Sequence, residues 1–350
     1  MGIDVKIPSK SKLSPPKPAA KGQFTPIFAY LPGLLLTSGV AGVAIVLSRS
    51  LGIRELNPLL IAVLLGMGCR QLWQAPHTYR PGIQFAMKRV LRLAVILLGL
   101  RLSAEEVLAV GPSGLMILVL SAVSTFYITC WLGRRLGISQ KLTCLIAAGT
   151  SICGASAVVA TNSVIESSEE DITYAIAAVT GFGTLAMLSY PLLSTLLALN
   201  PQTFGIWCGV SIHEVAQVIA TAFQRGAVSG ELATVTKLAR VLLIIPMMLS
   251  LSCQSRKGAG RQASRPMAIP WFVLCFCGLV AINSLGMIPE TTKAIVLMGN
   301  QFLLCMALAA MGLETNLRQL KQIGWQPLYL AGFSWIFLSL LSLLMIQIVY

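Results

Sequence analysis

His213 and Glu214 lie in the middle of an apolar run, Phe204 to Phe223, with Gln217 one turn further on. A run of that length can cross a bilayer, which takes about 20 residues. An ionised side chain at mid-membrane costs roughly 2.5–3.5 kcal/mol on insertion scales. Three polar groups at that depth point to a substrate, ion or proton site. On a helix His213 and Gln217 share a face, being four apart, and Glu214 neighbours Gln217 at three apart. A carboxyl in a dehydrated site can load and release a proton near neutral pH, which makes His213 and Glu214 the expected ion-coupling pair. The plainer reading is a structural polar knot between helices.

A second constellation interrupts another apolar run: Gly149, Thr150, Ser151, Ile152, Cys153, Gly154, Ala155, Ser156 and Ala157. Glycines and hydroxyls at mid-span allow a helix to break, and the freed N–H groups of a half-helix can hold an anion. Gly149, Ser151, Cys153, Gly154 and Ser156 are therefore expected to contact substrate, together with Gln217. The competing reading is a face of small residues that lets helices approach closely. The third constellation is Lys237 and Arg240, three apart on one face, with Pro246 further along. Arg240 is too deep to snorkel and is expected to pair with Glu214 or to neutralise an anion. Lys237 reads equally well as an interfacial anchor. Arg101 and Glu314 occupy matching places at the ends of two spans, where an interfacial charge needs no further role.

The nine cysteines are scattered, with no CxxC pair and no Cys/His spacing that would hold a metal. Cys275 and Cys277 read as small apolar residues within a span. No catalytic residue, metal or cofactor is expected. Cys153 or Ser156 with His213 as base would be needed for an intramembrane enzyme, a third-ranked reading.

These groups have to be positioned by membrane helices. Charged residues make up only 11% of the chain, 56% is hydrophobic, and the mean hydropathy is +0.79. A soluble domain carries about a quarter charged residues. Eleven candidate spans recur: 27–47, 57–69 (short), 91–108, 113–132, 142–165, 172–198, 204–223, 237–252, 270–288, 294–313 and 325–349. The short second one leaves open whether it crosses fully. With the N-terminus cytoplasmic and sides alternating, 19 of the 26 basic residues fall in cytoplasmic segments and six outside. That is the positive-inside pattern. It predicts an external C-terminus and places Glu166, Glu169, Glu170 and Asp171 outside. It also explains the net charge of +14 without nucleic acid. Five of the six tryptophans, Trp207 among them, fall near proposed span ends and read as interface anchors. Residues 1–25 are basic and Pro-rich, which reads as a disordered cytoplasmic tail, with a single transmembrane domain over 26–350.

Two internal similarities suggest duplication, although their offsets do not fit one tandem repeat and chance likeness between apolar helices rich in Leu, Ala and Gly is the competing reading. Gly99–Gly111 resembles Gly312–Gly324 at an offset of 213, in opposite orientations, the mark of an inverted-repeat transporter. Gly149–Thr161 resembles Gly209–Thr221 at an offset of 60.

Together, KRVLRLAVILLGLRLS from Lys88, GTSICGASAVVA from Gly149, HEVAQVIA from His213, KLARV from Lys237 and AAMGLETNLRQL from Ala309 resemble the YeiH-like family of bacterial inner-membrane proteins. The resemblance spans about residues 30–350. The family's label, sulfate exporter, implies anion export. A wider likeness to cation–proton antiporters and bile-acid symporters implies inverted repeats with crossed, broken helices near the midplane.

The expectation is an all-α, polytopic secondary transporter of the bacterial inner membrane. It would export a small anion, possibly sulfur-containing, such as sulfate or a sulfonate, coupled to a proton or sodium gradient. A passive anion channel is the alternative. The lipid bilayer and the anion are the expected partners, and assembly into a homo-oligomer stays open. No ATP-binding loop of the G-x-x-x-x-G-K-[ST] type occurs.

Overall fold

The computed structural model describes residues 27–51, 57–73, 76–102, 111–256, 271–315 and 325–349. The basic tail and most of 99–111 and 312–324 lie outside the described residues. All regular structure among those described is helical. The helices are α1 (Leu31–Leu51), α2 (Pro58–Leu72), α3 (Arg80–Phe85), α4 (Leu91–Leu98), α5 (Gly111–Arg135), α6 (Gln140–Ala148), α7 (Ala155–Ile165), α8 (Glu169–Leu196), α9 (Pro201–Ser211), α10 (Val215–Ala222), α11 (Ala227–Leu242), α12 (Ile244–Arg256), α13 (Trp271–Ser284), α14 (Glu290–Glu314) and α15 (Trp325–Val349). A π-helical turn, Ala86–Val90, joins α3 to α4 in one rod. Six segments are long and apolar enough to cross a bilayer: α1, α5, α8, α11 with most of α12, α14 and α15.

Local chemistry sets the helix starts. Asn57 accepts from the Leu59 amide at 3.0 Å, Ser139 from Leu142 at 3.2 Å, Ser168 from Asp171 at 3.1 Å and Asn200 from Thr203 at 2.7 Å. Each such cap is worth on the order of 1 kcal/mol. Glu169, Glu170 and Asp171 fill the first turn of α8, where their charge suits the helix dipole.

Residues 142–165, expected to cross with a break, and 204–223, expected to place His213 and Gln217 on one helix face, instead double back; the second breaks at Ile212–Glu214, so His213 lies outside the helix that carries Gln217. α6 and α7 form a hairpin whose ends meet: Lys141 Nζ donates to the Glu166 carbonyl at 2.7 Å. Glu166 itself ends α7 in the left-handed conformation, at φ 47°. α9 and α10 form a second hairpin, closed at its base by Arg225 donating to the Leu199 carbonyl at 2.8 Å. The two bases lie at opposite ends of the bundle. Leu142, Leu145 and Val158 of the first hairpin pack with Ala175 and Leu330. Phe204, Trp207 and Val218 of the second pack with Tyr190 and Ile346. Trp207 is therefore no interface anchor. It is buried, stacked 4.0 Å from Tyr190, and its indole N–H donates to the Ser339 carbonyl at 3.0 Å.

Close helix contacts hold the rest of the bundle. Gly312 of α14 meets the α2 backbone at Val63, Gly66 and Met67. Gly99 meets α13 at Phe276, Leu279 and Val280. In lipid, where burial of apolar surface gives helices little reason to associate, such close approach supplies the van der Waals contact.

Candidate functional site

The tips of the two hairpins meet inside the protein. In the first, the π-helical turn Gly149–Cys153 ends at Gly154, whose φ of 71° and ψ of −135° suit glycine alone. The chain reverses there and α7 begins, with no side chain capping its N-terminus. In the second, α9 stops at Ser211, Ile212 to Glu214 run extended or bent, and α10 begins at Val215. The tips touch: a methyl group at Gly154 would come 2.8 Å from Glu214 Cγ and 3.3 Å from the His213 carbonyl oxygen.

Lys237 and Arg240, both fully buried on α11, tie the tips together. Lys237 Nζ donates to the carbonyls of Ile152 at 3.2 Å and Ile212 at 2.6 Å. Arg240 donates from Nε to Ser151 at 2.9 Å, from one terminal nitrogen to Ile212 at 3.4 Å, and from the other to Thr150. These carbonyls are the orphan acceptors left where each half-helix stops, at the negative ends of the two dipoles. Two buried cations thus do without a carboxylate partner among the described residues. The expected Arg240–Glu214 pair is not formed, because all three guanidinium nitrogens are committed to backbone oxygens. Lys237 is a tip-binding residue, not an interfacial anchor.

Glu214 is half-buried. Its carboxylate accepts from Thr180 Oγ1 at 2.8 Å. Gln217 is buried: its Oε1 accepts from the Glu214 amide at 3.2 Å, and its Nε2 donates to the Thr180 carbonyl at 3.1 Å and Thr184 Oγ1 at 3.2 Å. Thr180 and Thr184 were not foreseen, although two threonines four apart on one face of an apolar helix are a readable signal. Both ring nitrogens of His213 are buried without a partner among the described residues.

The remaining expected residues divide. Ser151 is buried, and its hydroxyl reaches only the Ala148 carbonyl at 3.5 Å. Ser156 is exposed in the first turn of α7, 2.9 Å from Cys153 Sγ. Those two pair with each other and not with His213. Gly149 accepts the Gly154 amide at 2.9 Å and closes the turn. Arg101 stands apart from the tips, 3.6 Å from Glu231 and over the Phe223 ring. Among the described residues no group of three His, Cys, Asp or Glu side chains is placed to hold a metal.

Known proteins resemble this sequence along most of its length. A family profile described as "Conserved hypothetical protein 698" matches residues 32–331. The UPF0324 membrane protein of Yersinia pestis is 37% identical over 328 residues, covering 88% of this chain and 90% of the relative. The UPF0324 inner membrane protein YeiH of Escherichia coli K12 is 35% identical over 326 residues, covering 90% and 93%. The UPF0324 membrane protein of Pseudomonas aeruginosa is 36% identical over 326 residues, covering 88% and 92%. No solved structure matches. With the apolar helices, hairpin motifs and near full-length similarity in hand, the chain belongs to the UPF0324, YeiH-like family of membrane proteins, whose Escherichia coli K12 relative is an inner membrane protein.

Proposed function

We propose that this protein is a secondary transporter that exports a small anion across the inner membrane, bound where the two hairpin tips meet. The seating of Lys237 and Arg240 on the carbonyl ends of both tips carries the reading. Each helix contributes about +0.5 charge at its N-terminus and −0.5 at its C-terminus, so four half-helices cancel. Side chains then decide: two cations against the single carboxylate of Glu214 leave the tips positive. The first N–H groups of α7, which no side chain caps, and the exposed Ser156 hydroxyl offer donors to an anion. Glu214 sits beside them, so an anion and an ionised Glu214 repel. Anion movement is thereby coupled to a proton on Glu214, or to Na⁺ held by it. A negative-inside potential favours exit of each negative charge by about 2.3 kcal/mol per 100 mV.

The architecture in this reading is nine crossings plus two re-entrant hairpins, one from each face, arranged as an inverted repeat. Gly312 lies 213 residues after Gly99, and Phe276, Leu279 and Val280 lie 213 after Val63, Gly66 and Met67. The α14–α2 and α13–Gly99 contacts are thus the same contact in two copies. The hairpins obey the other offset: Gly154 and Glu214, 60 apart, are equivalent positions and touch. Contact between equivalent positions is expected on a pseudo-twofold axis, where inverted-repeat transporters bind substrate.

The experiment is uptake of radiolabelled anions into inverted vesicles, screened over sulfate, sulfite, sulfonates and carboxylates. Gradient-responsive uptake of one class is expected. Flux indifferent to imposed gradients would make the protein a passive channel, and no uptake above empty vesicles would end the reading.

A further inference from the structure

A cavity of about 420 Å³ opens at the end of the bundle that holds the start of α1, the end of α2 and the start of α3. Its walls carry His77, Arg80, Lys88 and Arg89, and no carboxylate among the described residues lines it. Arg80, Gln84 and Lys88 recur every four residues and so form one row, while Phe85 and Arg89 form the next. The π turn Ala86–Val90 buries Ala86 and Val90 and leaves Lys88 and Arg89 exposed. Phe85 packs in a tilted pair with Tyr30, ring centroids 5.3 Å apart, and lies 6.0 Å beneath the Arg89 guanidinium, holding that cation at the cavity wall without spending its N–H donors. Neither ion pair among the described residues involves these cations. Beside the cavity, Trp73 and Tyr79 meet edge-on at 5.5 Å, the aromatic pairing typical of headgroup depth.

We infer that this cavity binds the phosphate headgroup of an anionic membrane phospholipid. Three cations and an imidazole around one opening suit a phosphodiester, which accepts several charge-assisted hydrogen bonds. Its place at the helix ends lets the acyl chains run down the apolar flank of the bundle. Basic pockets between membrane helices bind such headgroups elsewhere. The site is separate from the hairpin tips and does not depend on what the tips transport.

The test uses the purified full-length protein in detergent. Cardiolipin or phosphatidylglycerol should remain bound through delipidation, as read by native mass spectrometry, and should raise the melting temperature. Phosphatidylcholine and inorganic phosphate should do neither. The variant Arg80→Gln/Lys88→Gln/Arg89→Gln should lose both effects, while Arg134→Gln/Arg135→Gln, at the same end but outside the cavity, should keep them. If the triple variant does not fold, Lys88→Gln and Arg89→Gln singly should each weaken retention about fivefold, the factor that ~1 kcal/mol per basic residue implies. Equal effects of phosphatidylcholine, full effects of inorganic phosphate alone, or unchanged lipid retention in these variants would overturn the proposal.

Discussion

Lys141 Nζ reaches the carbonyl of Glu166 across 2.7 Å, although 25 residues separate them. A chain that leaves Lys141, turns at Gly154 and returns to Glu166 ends on the face where it began. Cysteines introduced at Gln140 and Ser168, both exposed, should then react with an impermeant thiol reagent from the same side of the membrane, with native cysteines blocked. A cysteine at Gln202 should react from the other side. Labelling of Gln140→Cys and Ser168→Cys from opposite sides would eliminate the double-hairpin topology.

The same pair shows what composition can and cannot reveal. No Lys or Arg occurs between Glu166 and Asn200, so moving that stretch across the membrane leaves the basic-residue tally unchanged. Two hairpins, one from each face, cancel in every later span. Charge asymmetry is therefore blind to both. The break at Gly154 and the polar set of His213, Glu214, Gln217 and Arg240 were legible, because glycine and polar side chains stand out against an apolar background, whereas Lys237 read equally well as an interfacial anchor. The partners of Lys237 and Arg240 were not, because they are backbone carbonyls of Thr150, Ser151, Ile152 and Ile212, and an orphan carbonyl has no sequence signature.

Arg240→Gln should destabilise the protein strongly. It strips donors from buried carbonyls at both tips, and each orphaned group costs about 1–3 kcal/mol. A loss of roughly 3 kcal/mol is expected in detergent unfolding, less for Arg240→Lys, which keeps the charge but not the fork. Since Arg240 makes no ion pair with Glu214, adding Glu214→Gln should not rescue Arg240→Gln. A double variant markedly more stable than Arg240→Gln alone would instead mean that the two charges compensate each other.

Gly99→Ala and Gly312→Ala should fail alike. At each position a new Cβ meets a backbone carbonyl of the neighbouring helix, Phe276 in one case and Val63 in the other. Overpacking of this kind costs about 1–3 kcal/mol, and carbonyls cannot step aside as a flexible side chain can. Melting temperatures in detergent should fall by similar amounts for the two variants. If one variant is neutral while the other is crippled, the contacts are not equivalent and the duplicated architecture loses its support.

Glu214→Gln separates coupling from binding. Thr180 Oγ1 donates to the Glu214 carboxylate at 2.8 Å, and a glutamine carbonyl can accept the same hydrogen. The tip should therefore keep its shape, with a stability change below about 1 kcal/mol, the net worth of an ordinary hydrogen bond. The charge is what changes. In the wild type an anion at the α7 N-terminus competes with the ionised carboxylate, so proteoliposome flux should rise as pH falls and Glu214 takes up its proton. With glutamine that repulsion is permanently absent. Flux should persist, become independent of pH, and no longer accumulate anion against its gradient when a proton gradient is imposed. A Glu214→Gln protein that transports with the wild-type pH profile would make Glu214 structural, and His213, whose two ring nitrogens have no partner among the described residues, would become the group to examine for coupling.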